Sequence, residues 1–219
     1  MINIIARTFS YIFVPVFINF YALIILLVVN PYAFGSESWQ PKVPLILMIF
    51  MLTVGFPILT ILLLYKLNFI KDLNLSDAKD RIIPYIANGI FYLWTYITIR
   101  SNFEIPSIFK AVVLGTIIAN FMLFFVNNFT KASAHTTGMA GLVCFTCYIT
   151  LFDHQDLYKT DSLVHLGYWS DLVLLNIVIL CCGIVTGSRL YLKAHTVEQV
   201  LGGLFIGISS SLIAFKIWL

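Results

Sequence analysis

The amino-acid sequence predicts an all-α integral membrane protein, a polytopic bundle of about seven transmembrane helices forming one domain over residues 1–219. Of the 219 residues, 60% are hydrophobic and 11% are charged, whereas soluble domains average about 45–50% apolar and about 25% charged residues. A soluble globule of this size could not bury so much apolar surface. The net charge of +3 comes from 13 basic and 10 acidic residues, which are too few and too scattered for a nucleic-acid-binding surface.

Seven apolar stretches are long enough, or nearly so, to cross a membrane, because a helical span needs about 20 mostly apolar residues. We predict spans at 10–30, 44–65, 83–100, 108–127, 136–153, 171–189 and 197–218. The first stretch lacks the basic start and small-residue cleavage site of a signal peptide, which favours a span. Two spans form the N-terminal part, 1–65, and the polar motifs follow it.

Two sets of small residues recur at helical spacing within the last two spans. Gly183 and Gly187 share one helix face, and Gly203, Gly207 and Ser211 share another. Small residues let helix backbones approach closely in a membrane. We therefore predict close helix–helix packing at both sets.

Threading seven spans through a membrane places alternate loops on opposite faces. One face takes the N-terminus and the loops 66–82, 127–135 and 190–196. The other face takes the C-terminus and the loops 31–42, 101–107 and 153–170. This sorting gathers six polar residues from distant parts of the chain on the first face: Lys79, Arg81, Ser133, His135, Arg189 and His195.

The segment 188–203 carries the most informative polar pattern. Arg189 closes one span and His195 lies just before the next, and an ionisable group at the edge of a span usually faces a cavity and has a partner. Gln199 follows His195 by four residues, close enough on a helix to accept a hydrogen bond from one ring nitrogen. That bond would fix the tautomer and leave the other nitrogen free as a nucleophile or ligand. Glu198 is the rival partner, but it points about 60° away.

Two further segments add charge and hydroxyl groups to the same face. Ser133 and His135 stand at the start of the fifth span, and a helix start favours anions because its N–H groups are unpaired. Lys79 and Arg81 place two cations just before the third span, whose first turn suits Pro84.

Together these residue types indicate phosphoryl transfer. Cations neutralise the phosphoryl oxygens, while one histidine attacks phosphorus and a second protonates the leaving oxygen. The acidic residues near this face are spaced irregularly, whereas Mg²⁺ sites need carboxylates, so we predict a metal-independent reaction without a cofactor.

Each element also has a structural interpretation. Lys79 and Arg81 could be interfacial charges flanking a span, and His135 could be a helix-start residue bonded to the backbone. Zinc binding by His135 and His195 would lack a third good ligand on this face. His154 and His165 fall in the opposite loop, where we interpret them as solvated residues.

At these residues the sequence resembles the type 2 phosphatidic acid phosphatase superfamily of membrane phosphatases. The family's third motif, S-R-x5-H-x3-D, is matched by Ser188, Arg189 and His195, with Gln199 in place of the acid, as in dolichyl-diphosphatase-like members. Ser133-Ala134-His135 stands for the second motif, and Lys79, Arg81 and Pro84 supply the residue types of the first with different spacing. The resemblance covers roughly 66–205.

The resemblance implies a six-helix phosphatase-like core and a metal-independent hydrolase acting on a lipid phosphate. His195 would form a phosphohistidine, His135 would be the general acid and Gln199 would orient His195. Arg189, Ser133, Ser188, Lys79 and Arg81 would hold the phosphate. The Gln variant favours a polyprenyl diphosphate as the substrate, and the family suggests a bacterial inner-membrane protein with an extracytoplasmic site.

Two other classes of function remain open from the sequence. A catalytically degenerate relative would keep the cations to bind phospholipid headgroups or to carry a lipid across the membrane. A proton-coupled transporter would use His135 and His195 as relay groups. Loss of phosphate release in a His195→Ala variant would distinguish an enzyme from a degenerate lipid-binding relative. Flux driven by a pH gradient would identify a proton-coupled transporter.

Overall fold

The computed structural model describes residues 2–36, 38–73, 75–152 and 161–219, with the side chains of 2 and 161–170 excepted. Within these residues the protein is all-α, as predicted. In chain order the helices are α1 (Ile2–Ile12), α2 (Ile18–Val29), α3 (Val43–Phe50), α4 (Phe56–Lys66), α5 (Ile82–Arg100), α6 (Ser107–Val126), α7 (Ala134–Phe152), α8 (Asp161–Tyr191) and α9 (Val197–Trp218).

The polytopic bundle predicted from hydropathy is confirmed. Six described segments are long and apolar enough to cross a membrane, and a bent N-terminal pair brings the number to seven if it counts as one span. The segment Gln40–Lys66 joins α3 to α4 through a single π-helical turn at Met51–Gly55. Pro57 follows directly, and its missing N–H interrupts the regular α-helical bonding pattern at this point.

The first predicted span, 10–30, is broken. α1 ends at Ile12 and α2 begins at Ile18, with a bend of 42° between the two arms. The break lies at Pro15, because proline disfavours helical dihedrals in the residue before it, and Val14 is extended, with φ −60° and ψ 135°. α1 is therefore a separate arm, directed differently from α2.

Part of the predicted loop 153–170 is helical. The described part of α8 covers Asp161–Tyr191, so 161–170 belong to a helix and not to a loop. His165 is therefore a helix residue, while His154 lies outside the described residues.

Close contacts between α7 and α9 align the two helices that carry the predicted histidine segments. A Cβ on Gly203 would lie 2.5 Å from the carbonyl oxygen of Ser133, and one on Gly207 would collide with the carbonyl of Thr137. Close packing is thus confirmed at this set of small residues. It is wrong for Gly183 and Gly187, because a Cβ added at either position would meet no described atom within 4 Å, although Gly187 borders a groove that Ala6 of α1 also lines.

The interior is apolar between α2, α6 and α7, and the outer surface is apolar as well. Leu23, Leu26, Phe109 and Phe145 are fully buried. Large side chains such as Leu180, Phe205 and Leu212 are exposed on the outside of the bundle. An apolar exterior is what a lipid environment requires, so hydrophobicity alone does not distinguish the bundle's core from its lipid-facing surface.

Candidate functional site

Backbone-directed hydrogen bonds tie three loops together at one end of the bundle. Asn127 Nδ2 donates to the carbonyl of Ala78 at 2.7 Å, which joins the loop after α4 to the loop after α6. The backbone N–H of Ser133 donates to the carbonyl of Gln199 at 3.1 Å, which joins the loop after α6 to the start of α9. The predicted convergence of loops 66–82, 127–135 and 190–196 is confirmed.

A cavity of about 680 Å³ opens between these loops and continues into the bundle. Four of the predicted site residues line it: Arg81, His135, Arg189 and His195. Lys131, which the motifs did not single out, lines it as well. The site end of the cavity is therefore rich in cations and carries both predicted histidines.

The cavity is deep. Along α6 its lining residues run from Leu123 to Val112, about 16 Å at 1.5 Å per residue. On α9 the lining reaches Phe215, 18 residues beyond the helix start and so about 27 Å along its axis. Small residues such as Gly115 and Gly141 form part of its wall. Its length is comparable with the roughly 30 Å of hydrocarbon in a bilayer.

A Schellman turn between α8 and α9 brings His195 back to Arg189. Lys193 adopts the left-handed conformation, with φ 53°. Its N–H donates to the carbonyl of Leu190 at 3.0 Å, and the N–H of Ala194 donates to the carbonyl of Arg189 at 3.1 Å. This pair of bonds ends a helix sharply and reverses the chain, so two residues six apart come to line one cavity.

His195 is held through its Nδ1 atom. Nδ1 lies 3.1 Å from Gln199 Oε1 and 3.0 Å from the backbone carbonyl of Lys131. Both partners are acceptors, so Nδ1 carries the ring proton and Nε2 keeps its lone pair. The predicted contact with Gln199 is confirmed, whereas the Lys131 carbonyl is a second acceptor that the motif did not reveal.

Gln199 is fixed by a second hydrogen bond. Its Oε1 also accepts from the backbone N–H of Thr196 at 3.3 Å, while the Thr196 hydroxyl accepts from the N–H of Gln199. This reciprocal pair is the capping box that starts α9. The residue that orients His195 is therefore itself held by the helix N-terminus.

Burial and neighbouring charge act on the titration of His195. Burial lowers the pKa of His195 to about 4, and the positive charges of Arg81 and Arg189 lower it in the same direction. Burial also lowers the pKa of Lys131, again together with these two arginines. The imidazole of His195 is consequently neutral at pH 7, the form whose Nε2 lone pair can attack an electrophile.

The two arginines lack carboxylate partners. Arg81 is only 7% exposed and donates from Nε to the carbonyl of Leu75 at 2.8 Å. Arg189 has a buried Nε with no hydrogen-bond partner among the described residues. The ion pairs found in the described part of the chain are Lys42–Glu104 and Lys71–Asp77, neither of which includes these arginines. Buried cations without counter-ions are costly unless an anion joins them.

His135 contacts the N-terminal helix. Its Nε2 lies 3.1 Å from the backbone carbonyl of Ser10, which only accepts, so Nε2 carries a proton and Nδ1 is available to the cavity. No sequence pattern predicts this contact, because Ser10 and His135 are 125 residues apart.

Three predicted phosphate ligands lie outside the cavity lining. The Ser188 hydroxyl donates to the carbonyl of Ile184 at 2.7 Å within its own helix. Ser133 is fully buried at the start of α7, where its hydroxyl accepts from the N–H of Thr136 at 3.5 Å. Lys79 is exposed on the surface beside Asp77. Arg81 is thus the cation of this segment that reaches the cavity.

Several cavity residues were missed at the sequence level. Tyr85 is a hydrogen-bond partner of Arg81 and lies one helical turn after it, a spacing that the sequence does contain. Lys131 precedes Ser133 by two residues in the same loop. Arg7 and Ser10 belong to α1 and carry no motif, so only the folded arrangement reveals them. Within the described residues, no three His, Cys, Asp or Glu side chains are grouped as metal ligands.

Fold and site together define an integral membrane protein in which a cation-lined cavity with two histidines enters one end of a helical bundle. The model of the PAP2 superfamily matches residues 91–219, more than half of the chain, and the protein belongs to this family. No curated protein and no solved structure matches the chain. The matched segment contains His135, Arg189 and His195, whereas Arg81 and α1 precede it. Family membership supports a phosphoric ester hydrolase at the general level.

Proposed function

We propose that the protein is a membrane lipid phosphatase that works through a phosphohistidine on His195, with a polyprenyl diphosphate as the favoured substrate. The observation that carries the proposal is the cavity itself, where the unpaired Nε of Arg189 and the neutral imidazole of His195 face the same space. A phosphoryl group supplies the negative charge that the arginines lack and the electrophile that the imidazole can attack.

In the first step, Nε2 of His195 forms a bond to phosphorus, and the bond from phosphorus to the leaving oxygen breaks. The electron pair of that bond stays on the leaving oxygen, which takes a proton from Nδ1 of His135. The bound anionic substrate offsets the positive charge of the nearby arginines and so favours the imidazolium form of His135 that supplies this proton. The Ser10 carbonyl accepts from Nε2 of the same ring and so holds it in place throughout. Arg81, Arg189 and Lys131 stabilise the charge on the equatorial oxygens.

In the second step, water attacks the phosphohistidine and the bond from phosphorus to nitrogen breaks. Its electron pair returns to Nε2 of His195, and Nδ1 of His135, now neutral, takes the proton of the water. Inorganic phosphate leaves, and both rings regain their starting protonation states. Gln199 and the Lys131 carbonyl keep Nδ1–H of His195 oriented in both steps.

The depth of the cavity supports a lipid as the substrate. A phosphate bound at Arg81 and Arg189 leaves the space that reaches Val112 and Phe215 for a hydrocarbon chain. Burying such a chain contributes about 0.8 kcal/mol per CH₂ group.

The decisive experiment measures phosphate release by the purified protein in detergent, with EDTA present. The substrates are undecaprenyl diphosphate, phosphatidate and phosphatidylglycerophosphate, and the His195→Ala variant is assayed alongside. We expect EDTA-resistant release that disappears in the variant, and acid-labile, alkali-stable labelling of the wild-type protein by a ³²P-labelled substrate. Release that persists in His195→Ala would overturn the mechanism. Binding without any release would favour a degenerate lipid-binding or lipid-transporting relative.

We also propose that the site faces away from the cytoplasm of a bacterial inner membrane. Thr130 is exposed at the site end and Arg100 is exposed at the opposite end. A membrane-impermeant maleimide should label Thr130→Cys in intact cells and leave Arg100→Cys unlabelled until the cells are lysed. The reverse pattern would place the site in the cytoplasm.

A further inference from the structure

The N-terminal helix α1 brings two polar side chains to the cavity. Arg7 and Ser10 are three residues apart and so lie on the same side of α1, and both line the cavity together with His135 and Arg189. α1 precedes the segment that matches the family model. These two residues are therefore additions of this chain to the motif residues.

Ser10 has an unused hydrogen-bonding group. The residue is only 7% exposed, and its buried hydroxyl has no hydrogen-bond partner among the described residues. Buried polar atoms without partners are rare in folded proteins. A hydroxyl in this state, in the wall of a cavity, is available to a ligand oxygen.

Packing against α7 and α8 holds α1 over the cavity. The bend at Pro15 rests on α7, where Gly138 leaves room: a Cβ on Gly138 would lie only 2.8 Å from Ile18 Cγ1. Ala6 is buried, and it lines a groove with Gly187 and Ser188 of α8. Arg7 and Ser10 are thus presented by a seated helix, and the Ser10 carbonyl contacts His135 directly.

The position of His135 indicates which part of the substrate these residues meet. In the mechanism proposed above, on which this inference rests, His195 attacks phosphorus and His135 protonates the leaving group on the opposite side. Groups beside His135 therefore adjoin the leaving group. The leaving group of a lipid monophosphate is an alcohol, whereas that of a lipid diphosphate is itself an anionic phosphate.

We infer that Arg7 and Ser10 form a second phosphate subsite. It binds the lipid-attached phosphate of a lipid diphosphate, which is part of the leaving group in the first step, and it makes the protein select diphosphates over monophosphates. Arg7 supplies a charge and several N–H donors, and Ser10 supplies one O–H donor. Both bind the phosphate that stays attached to the lipid.

The test compares kcat/KM for a polyprenyl diphosphate and for the monophosphate of the same chain. Arg7→Ala should lower kcat/KM for the diphosphate by about 10- to 100-fold, the loss expected for a hydrogen bond to a charged group, and change that for the monophosphate less than twofold. Ser10→Ala should act in the same direction with a smaller loss. Arg7→Lys should recover part of the selectivity, and inhibition by the product monophosphate should weaken in Arg7→Ala.

Two controls separate the subsite from general effects. Thr8→Ala alters an exposed residue of α1 outside the cavity lining, and Arg100→Ala removes a cation at the opposite end of the bundle. Neither should change the ratio of the two kcat/KM values. Equal losses on both substrates in Arg7→Ala, or no loss on either, would overturn the subsite.

Failure of the subsite and failure of the proposed function give different results. If the wild type hydrolyses neither lipid, the proposed function fails, and binding of the same two lipids then tests the subsite directly. Weaker binding of the diphosphate alone to Arg7→Ala would support the second phosphate site. Equal binding of the diphosphate to the wild type and to Arg7→Ala would exclude it.

Discussion

The two ends of the helical bundle both carry basic residues, but they use them differently. At the end opposite the cavity, Lys42 Nζ pairs with Glu104 at 3.0 Å, and Lys110 lies over the ring of Trp218 at 5.2 Å. At the cavity end, exposed Lys71 pairs with Asp77, but the buried Arg81 donates to backbone carbonyls without an ion pair among the described residues, and the Nε of Arg189 has no hydrogen-bond partner there. The number of basic residues does not distinguish the two ends, whereas the buried arginines without ion pairs indicate the end that can bind an anion.

This difference also bears on membrane orientation. The positive-inside rule reads loop cations as topological signals. At the cavity end, Arg81, Lys131 and Arg189 line the candidate site, so binding of an anion is a second explanation for their positive charge besides topology. Orientation is therefore better tested by labelling than inferred from the charge count.

The largest expected effect is the loss of the nucleophile. His195→Ala should lower kcat for phosphate release by at least about 10⁴-fold, since removing a catalytic nucleophile costs about 10⁶-fold in a well-studied hydrolase. His165→Ala, which removes a histidine that the proposed mechanism does not use, is the matched control and should keep activity within twofold. A His195→Ala protein with more than a tenth of wild-type activity would contradict the catalytic role assigned to the cavity end of the bundle.

The next largest effect compares a cavity-lining arginine, Arg189, with an exposed arginine at the opposite end, Arg100. Arg189→Ala should lower kcat/KM by about 10²- to 10³-fold, the cost of losing one group that stabilises transition-state charge. Arg100→Ala, an exposed arginine at the far end of α5, should change it less than twofold. Both variants should elute as folded protein in detergent. Similar losses in the two would mean that overall charge, rather than the cavity, controls the reaction.

A third prediction uses the low pKa of His195. The reaction needs neutral His195, so kcat/KM should fall as pH drops through about 4. In Gln199→Asp a carboxylate would face Nδ1 and favour the imidazolium, which raises the pKa of His195 by about one unit or more. The acid limb should then move to higher pH, lowering activity near pH 5 while sparing it near pH 8.

Gln199→Asn is the neutral control for this shift and should leave the acid limb near its wild-type position. Gln199→Ala should reduce the rate less than His195→Ala, because the Lys131 carbonyl still accepts from Nδ1. An acid limb that stays fixed, or moves to lower pH, in Gln199→Asp would contradict the assignment of Nδ1 to Gln199.

The smallest effect concerns the paired cation at the opposite end. A double-mutant cycle on Lys42 and Glu104 should give a coupling free energy of about 0–1 kcal/mol, as for other exposed ion pairs, because Glu104 is 73% exposed. Thermal unfolding in detergent measures the coupling, and phosphate release should be unchanged. A coupling above about 2 kcal/mol, or a loss of activity, would show that this end contributes more than packing.

Much of the fold was predictable because hydropathy is a local property. The last predicted span, 197–218, agrees with α9, and the predicted spans 83–100, 108–127 and 136–153 differ from α5, α6 and α7 by one or two residues. The helical residues 161–170 were predicted as part of a loop, because a polar stretch next to an apolar span is typical of a loop. The break before α2 was also missed, because proline within a span is often tolerated.

The candidate site also has residues whose positions were predictable from the sequence and residues whose positions were not. The spacing of Arg189, His195 and Gln199 predicted that these residues lie close together, and they do, because the turn and the start of α9 are local structures. The hydroxyls of Ser133 and Ser188 were expected to face the cavity, but the Ser188 hydroxyl bonds within α8 and the Ser133 hydroxyl bonds at the start of α7. A motif gives residue types in order, but rotamers and capping bonds decide where each side chain points.

Composition and motif spacing were sufficient to predict a membrane bundle of the PAP2 superfamily whose polar loops meet at one end. The packing of the helices was needed to show that Arg81 and not Lys79 reaches the cavity, that the Lys131 carbonyl contacts His195, and that α1 contributes Ser10 and Arg7. Periodicity and spacing describe neighbours along the chain, whereas these contacts join segments up to 125 residues apart. They arise from helix packing, which the hydrophobic pattern permits without specifying.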